Sequence, residues 1–159
     1  MSDLISDGMT RVAWVSSLAN LAAPTVAELN AGTDLTFRIT PDGLKLDPTT
    51  ADVDTGSLGS KFDTTEVGRI KYDTELTFKR GDTPQEDWPY QNLKLKVRGV
   101  LVVRRGIDVE TDWANGQQVE AYPVVCGERA NIAPAANEVM KFNSPIKVYA
   151  PPATDALVA

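Results

Sequence analysis

Apolar and polar residues alternate along most of this chain, and a period of two residues is typical of a β-strand with one buried face. The clearest run covers residues 69–79. Its apolar set is Ile70, Tyr72, Leu76 and Phe78, and its polar set is Lys71, Asp73, Glu75, Thr77 and Lys79. Further strands are predicted over residues 10–15, 33–40, 93–105, 119–126 and 140–148. This number of strands predicts an all-β sandwich or barrel.

Two of the predicted strands carry local exceptions to the alternation. After Gly99, residues 100–103 are all apolar, which predicts a strand segment covered on both faces, with Gly99 as a bulge between an exposed and a covered half. In the strand over 119–126, Pro123 has no N–H to donate. This proline therefore predicts an edge strand or a bulge.

Helix-start chemistry occurs at two places. Thr25 with Glu28, and Thr83 with Glu86, have the spacing of a capping box. Both helices must be short, because Gly32 ends the first and Pro89 limits the second. The fold class is therefore all-β with one or two short flanking helices.

The chain divides into one β domain over residues 1–149 and a C-terminal extension over 150–159. Within the domain, residues 47–60 are rich in Thr, Asp, Gly and Ser, and they form a long loop with almost no core-forming side chains. The extension opens with Pro151 and Pro152, which disfavour continuation of the last strand. Both segments are candidate arms for reaching a neighbouring molecule.

Composition excludes several functional classes. The 159 residues contain no histidine and one cysteine, so the chain cannot build a Ser-His-Asp site, an imidazole acid-base site, an internal disulfide or a thiolate metal site. A net charge of −6 disfavours general phosphate binding. No apolar stretch approaches the roughly 20 residues of a membrane helix. We expect a protein without catalytic residues, metal, cofactor or membrane contact.

Two charged clusters have both a binding interpretation and a simpler one. Asp52 and Asp54 open a calcium-loop pattern, but Gly56 and Ser57 occupy positions where that loop needs an oxygen ligand and its glycine, which favours an acidic flexible loop. The basic set Lys94, Lys96 and Arg98 suits either phosphate groups or the acidic loops of a neighbour. The negative net charge favours the neighbour.

Aromatic residues leave a second function open. Trp88, Tyr90 and Trp113 lie near predicted loops and could stack on a sugar, although aromatic side chains at subunit contacts explain them equally well. The alternative function is a monomeric β-sandwich binding module of sugar-binding or adhesin type that uses Trp88 and Trp113.

Six segments, in this order, carry a family resemblance that runs over nearly the whole chain. They are TRVAWV at 10–15, AELNAGTDLTFRITPDGL at 27–44, LTFKR at 76–80, VLVVRRG at 100–106, VEAYPVVCGER at 119–129 and NIAPAANEVMKF at 131–142. The chain resembles the major tail proteins, or tail tube proteins, of siphoviruses that infect actinobacteria.

This resemblance implies a structural virion protein. Its subunits would assemble into hexameric rings that stack into a tube, with strands of each subunit lining an inner barrel through which double-stranded DNA passes without specific binding. The implied partners are further copies of the chain and the tape measure, tail terminator and distal tail proteins. The implied location is the virion tail, and the host cytoplasm during assembly.

Candidate site residues follow from combining the charge pattern with the implied tube. The long, clean alternation of 69–79 suits a wall with one dry and one wet face, so this run is predicted to line the inner barrel, with its apolar set packed into the subunit and Asp73 and Glu75 facing the lumen. Asp34, Thr36 and Arg38 compete for the same role. The net charge separately predicts an acidic wall that repels phosphate. The acidic loop, with Asp47, Asp52 and Asp54, is predicted to meet a basic surface of a neighbouring subunit. Lys94, Lys96 and Arg98 are the candidates for that basic surface.

Overall fold

In the computed structural model, residues 2–159 are described, and they form two short helices and nine strands. The helices are α1 (Val26–Ala31) and α2 (Trp88–Asn92). The strands are β1 (Thr10–Val15), β2 (Thr33–Asp34), β3 (Ile39–Asp54), β4 (Thr65–Lys79), β5 (Arg98–Arg105), β6 (Gln118–Cys126), β7 (Ala130–Asn131), β8 (Lys141–Val148) and β9 (Ala153–Leu157). The all-β fold class with few helices is confirmed.

One antiparallel sheet runs through the subunit in the order β2-β1-β5-β6-β8-β4-β3, and β7 and β9 pair with β8 and β6. Its strands contribute to one shared core, which requires the sheet to bend around its contents. That first core includes Trp14, Leu46, Leu76, Phe78, Leu101, Tyr122, Phe142 and Ile146. The predicted burial of the apolar face of 69–79 is confirmed at Leu76 and Phe78, which are fully buried. It was wrong at Ile70, which is 64% exposed because that part of β4 pairs with β3 beyond the core.

A second core lies on the other face of β1, β5 and β6. Val100 and Val102 belong to this second core, whereas Leu101 and Val103 belong to the first. Leu29 of α1, Trp113 of the loop before β6 and Ala156 of β9 cover it. The prediction that residues 100–103 are covered on both faces is therefore confirmed.

Pro123 lies in a central strand, and the prediction of an edge or a bulge was wrong. Strand β6 pairs with β5 along one side, and on its other side it pairs with β9 up to Ala121 and with β8 from Val124 onward. Pro123 occupies the gap between these two partners. A proline costs no ladder hydrogen bond at a place where the ladder is already interrupted.

Gly99 is not a bulge, because the register between β5 and β6 continues through it. A Cβ atom on Gly99 would lie 2.4 Å from Cζ2 of Trp14. Trp14 is only 6% exposed and belongs to the first core. Gly99 is therefore required by the close approach of the indole ring to the backbone of β5.

Two predicted strands are shorter in the structure. Over residues 33–40, only Thr33–Asp34 and the start of β3 are extended, and a turn between them leaves Phe37 61% exposed. The turn is closed by hydrogen bonds from the amides of Arg38 and Ile39 to the carbonyl oxygen of Leu35. Strand β5 begins only at Arg98, because Lys96 has a left-handed φ of 69° in the preceding turn. In both places, apolar and polar residues alternate along a turn in the same way as they do along a strand, so the pattern alone did not distinguish the two.

Both helix starts were predicted from capping chemistry, and one is confirmed. Thr25 and Glu28 form a complete capping box at α1, and Gly32 ends that helix. The Thr83 hydroxyl accepts a hydrogen bond from the Glu86 amide at 3.3 Å, but helix α2 begins only at Trp88. Pro89 lies in the first turn of α2 rather than limiting it, as a residue without an N–H can.

The two predicted arms differ from expectation. Residues 47–54 continue β3 rather than forming a loop, and they pair with β4, so that the two strands form one long hairpin. The C-terminal extension returns to the body of the subunit, where β9 pairs with β6 and Val158 is only 2% exposed. Of these two segments, the hairpin is the one that extends beyond the body.

A buried ion pair fixes the connection between β4 and α2. Asp87 is 4% exposed and accepts hydrogen bonds from Nε and a terminal nitrogen of Arg80 at 2.9 and 3.0 Å. Burial opposes ionisation of Asp87, but the hydrogen bonds from Arg80, the Gly81 amide and Gln91 outweigh it and hold the pKa of this carboxyl below its usual value.

We expect Gly99→Ala to lower the free energy of unfolding by roughly 1 to 3 kcal/mol, because the added methyl group overlaps the Trp14 ring. Gly59→Ala is the matched control, since nothing lies within 4 Å of a Cβ atom at that exposed position. Urea denaturation measures both variants. Equal stability of the two would show that Trp14 can move at no cost.

We expect Asp87→Asn to destabilise the fold by about 2 to 3 kcal/mol at pH 7, because Arg80 loses its buried partner. Since the folded pKa of Asp87 lies below the unfolded value of about 4, its contribution is present above pH 4 and is lost as the pH falls further. The difference between wild type and variant should therefore shrink at pH 3. Asp82→Asn, at an exposed position, is the control, and an unchanged difference at pH 3 would contradict the assignment.

Candidate assembly surfaces

The second core covers only half of the outer side of the bent sheet. The other half is formed by β3, β4 and β8. Within residues 2–159 no helix or strand covers it, and we call it the open face. Its side chains are the polar set of these strands, opposite to the buried Leu76 and Phe78. They include Lys45, Asp47, Lys71, Asp73, Glu75, Lys79, Lys141 and Lys147. The open face therefore contains both predicted lumen residues, Asp73 and Glu75.

Charges on the open face compensate one another. Asp47 and Asp73 lie opposite each other on β3 and β4, and Lys45 reaches Asp73 with an N–O distance of 3.0 Å. The hydrogen bond and charge of Lys45 lower the pKa of Asp73, with Lys147 and Lys71 adding to the effect. The pKa of Lys45 is raised in turn, mainly by Asp73.

This face does not have the acidic character that the net charge of the chain predicted for the wall of the lumen. Five lysines stand against three carboxylates across β3, β4 and β8. The negative excess of the chain therefore lies elsewhere. A wall made of this face would limit DNA binding by mixing charges of both signs at short spacing, rather than by uniform repulsion.

The outer half of the β3–β4 hairpin, residues 47–71, is the second surface, and we call it the arm. All of its residues are exposed except Gly68, which is partly buried. The register continues outward from the pair of Asp47 and Asp73 to the pair of Asp54 and Thr65, with an irregularity between Thr50 and Asp52. The arm is thus a two-stranded ribbon with both faces exposed to solvent.

The tip of the arm, residues 55–64, is a polar turn with two apolar side chains. The Thr55 amide donates to the Thr64 carbonyl oxygen at 3.0 Å, and the Gly56 amide donates to the Asp54 carboxylate at 2.8 Å. Leu58 and Phe62 are 106% and 80% exposed. Sequence reasoning identified the acidic residues of this segment but missed these two, although isolated large apolar residues among Thr, Gly and Ser were the available signal.

The predicted basic surface is only partly formed. Lys94 and Lys96 lie in the turn before β5, and Arg98 is the first residue of that strand. All three are exposed, and the Arg98 guanidinium carbon is 4.5 Å from the ring centroid of Tyr149. Because the turn at Lys96 precedes the strand, the three side chains do not form one stripe along β5. Arg104, which follows on β5, is fully buried and is not part of the basic surface.

A groove lies at the root of the arm. Its volume is about 790 Å³, and we call it the root groove. Its lining combines apolar side chains with two lysines: Ile70, Lys71, Tyr72, Lys147, Val148, Tyr149, Pro151 and Pro152. Ile70 and Tyr149 are 64% and 51% exposed. Sequence reasoning missed this groove, because its two walls lie far apart in the chain.

The aromatic residues do not form the surface platform that the alternative function requires. Trp113 is 5% exposed, and the guanidinium carbons of Arg11 and Arg104 each lie 4.9 Å from its ring centroid. The guanidinium carbons of Arg80 and Arg129 lie 3.6 and 3.9 Å from the ring centroid of Tyr90. Tyr90 and Trp113 are therefore held by arginines of the subunit itself, and Trp88 is partly buried against the first core.

The side chains that could bind a metal or act as a nucleophile do not define a further site in the part of the chain that the structure describes. Among residues 2–159, no three His, Cys, Asp or Glu side chains are placed to hold a metal ion. Cys126 is buried, and burial raises the pKa of its thiol to about 11. Within the same residues, no helix has the length and apolar character needed to span a membrane.

Comparison with known proteins assigns these surfaces to a structural protein. The family model described as phage tail tube protein matches residues 1–159. No curated protein matches the chain. Among solved structures, a chain of the 6-fold symmetrised cryo-EM structure of the anti-feeding prophage baseplate has the same fold, with a TM-score of 0.58 and 11% identity over 94% of this chain and 95% of that one. The chain belongs to the phage tail tube protein family and is a structural component of the virion tail.

Proposed function

We propose that six copies of this protein form a ring, that the rings stack into the tail tube, and that the phage genome leaves through the lumen. The observation that carries the proposal is the arm. A two-stranded ribbon is marginally stable alone in water, yet this one continues for several residue pairs beyond the core. A surface of this kind is stabilised when neighbouring subunits cover it.

The apolar content of the arm supports the same conclusion. Five large hydrophobic residues of the arm are exposed: Val53, Leu58, Phe62, Val67 and Ile70. Clustered exposed apolar side chains are typical of protein interaction sites. Six subunits are proposed because the baseplate chain with this fold comes from an assembly resolved with 6-fold symmetrisation. The sequence resemblance adds a siphovirus tail and an actinobacterial host to the proposal.

Ionic contacts would set the register between subunits. Asp52 and Asp54 of the arm, with Asp47 at its root, are proposed to meet Lys94, Lys96 and Arg98 of a neighbour. Each exposed pair contributes only roughly 0 to 1 kcal/mol, but a ring repeats it at every subunit. The further partners are the tape measure protein inside the tube and the terminator and distal tail proteins at its ends.

The open face is proposed to line the lumen, with Asp73 and Glu75 directed toward the passing DNA. It is the wide uncovered sheet face of the subunit, and its polar side chains suit a water-filled channel. We also propose that the protein has no catalytic activity and needs no metal or cofactor. The chain has no histidine, and its buried cysteine stays protonated at neutral pH.

Shortening the arm should abolish tube formation without unfolding the subunit. We expect a variant in which residues 51–69 are replaced by Asn-Gly to keep its circular dichroism spectrum and to unfold within about 1 kcal/mol of wild type, because the removed residues contact no core. Both strands are shortened together, since deleting only residues 49–57 would leave β4 without its partner.

Light scattering and negative stain at rising concentration measure assembly of the two proteins. Wild type should form tubes, and the shortened variant should not. Normal tubes from the variant would show that the arm is dispensable. Wild type that stays monomeric at all concentrations would overturn the proposed self-assembly.

Chemical labelling of a cysteine at position 75 tests whether the open face lines the lumen. In assembled tubes, Glu75→Cys should react with a small maleimide but not with a maleimide attached to a large protein, because a bulky reagent cannot enter the lumen. Asn20→Cys, on the exposed segment before α1 at the covered side of the sheet, should react with both. Reaction of position 75 with the large reagent in intact tubes would place the open face outside.

A further inference from the structure

The arm has two chemically distinct ends. At its root lies the root groove, where Ile70 and Tyr149 are exposed and Lys71 and Lys147 line the wall. Within residues 2–159, neither lysine takes part in an ion pair, whereas Asp73 beside them is bonded to Lys45. Arg98 lies against Tyr149 and adds a third positive charge at the border. The lining of the root groove therefore combines apolar side chains with two lysines, and Arg98 lies beside it.

At the other end, the tip offers the opposite combination. Leu58 and Phe62 project without any covering group. The segment from Asp54 to Glu66 contains three carboxylates and one lysine. The tip itself contains Asp63 and Lys61, and the flanking Asp54 and Glu66 give the end of the arm a net charge of −2. The end of the arm is therefore apolar and acidic, which complements the root groove in both respects.

We propose that the tip of one copy binds in the root groove of a neighbouring copy, with Leu58 and Phe62 packing on its apolar side chains and the acidic residues at the end of the arm facing Lys71, Lys147 and Arg98. This inference rests on the proposed tube and names the site that receives the arm. A volume of about 790 Å³ accommodates a leucine and a phenylalanine side chain together with their turn.

The tip cannot fill the groove of its own subunit. At about 3.4 Å per residue, the strand from Ile70, which lines the groove, to Thr65 holds the tip roughly 17 Å away. A contact between two different patches on one subunit is a head-to-tail contact, which continues from copy to copy. This geometry suits growth along a tube.

A second groove on the subunit fits the tip less well. It has a volume of about 410 Å³ and lies between the N-terminal segment and the start of β3. Its lining contains one acidic and one basic residue, Asp7 and Arg105. Because it offers no net positive charge to the acidic end of the arm, the root groove is the better receptor.

Crosslinking between copies tests the contact. The chain carrying both Ser57→Cys, next to Leu58, and Thr154→Cys, an exposed residue lining the root groove, is assembled and treated with a short bismaleimide. Denaturing electrophoresis should show a ladder of covalent trimers and larger species, because each copy is linked at both ends. Cys126 is buried and does not contribute to the background.

Two controls make the ladder specific. Each single-cysteine chain should give no species larger than a dimer. The pair Ser57→Cys with Ser17→Cys, at an exposed position on the α1 side, should give no ladder. Tubes that form normally but give no ladder, or the same ladder with both pairs, would overturn the docking while leaving the proposed tube intact. Failure of wild type to form tubes would overturn both.

The apolar part of the contact has its own readout. The double variant Leu58→Ser and Phe62→Ser should raise the concentration required for tube formation at least roughly tenfold, because two buried side chains are lost from every contact. The subunit should remain folded, since neither residue contacts the core. An unchanged concentration would exclude these two residues as the anchor.

Discussion

The two apolar faces of β5 determine the layers of the subunit. A strand that is apolar on both sides must be covered on both sides, so the sheet bends over one face while α1, β9 and the loop before β6 cover the other. Arg104, at the end of this strand, is fully buried and donates hydrogen bonds to the backbone oxygens of Asp108, Thr111 and Asp112. These hydrogen bonds hold the loop before β6 against β5, the strand whose second face that loop covers.

The arm, in contrast to β5, is covered on neither face, because it extends past both cores. Its outer strand, β3, is a long sheet edge, and an unpaired edge invites association with any other strand. Pro48 removes one donor from β3, and register irregularities follow Ile39 and Thr50. Prolines, bulges and charges are the features by which natural proteins prevent unspecific pairing at an edge. They leave side-chain contacts, rather than strand addition, as the means by which the arm selects a partner.

Periodicity predicted the strands that border the cores, because burial of alternate residues is a local property of the sequence. Gly99, Pro123 and the C-terminal extension were misinterpreted because their roles depend on contacts distant in sequence: the ring of Trp14, the change of partner from β9 to β8, and the docking of β9 on β6. The arm was identified as free of core residues, but its strand pairing was not. The root groove could not be predicted, since its walls come from β4 and from the segment after β8.

A head-to-tail contact between tip and root groove makes the tube directional. Every internal ring would have its arms inserted on one side and its root grooves filled on the other. One end of the tube would then present free arms, with Leu58 and Phe62 exposed, and the other would present empty basic grooves. The proteins that close the two ends would need different chemistry: one offers an apolar and basic receptor, and the other offers an apolar and acidic projection. A single subunit fold would in this way specify both the direction of growth and two distinct terminal partners.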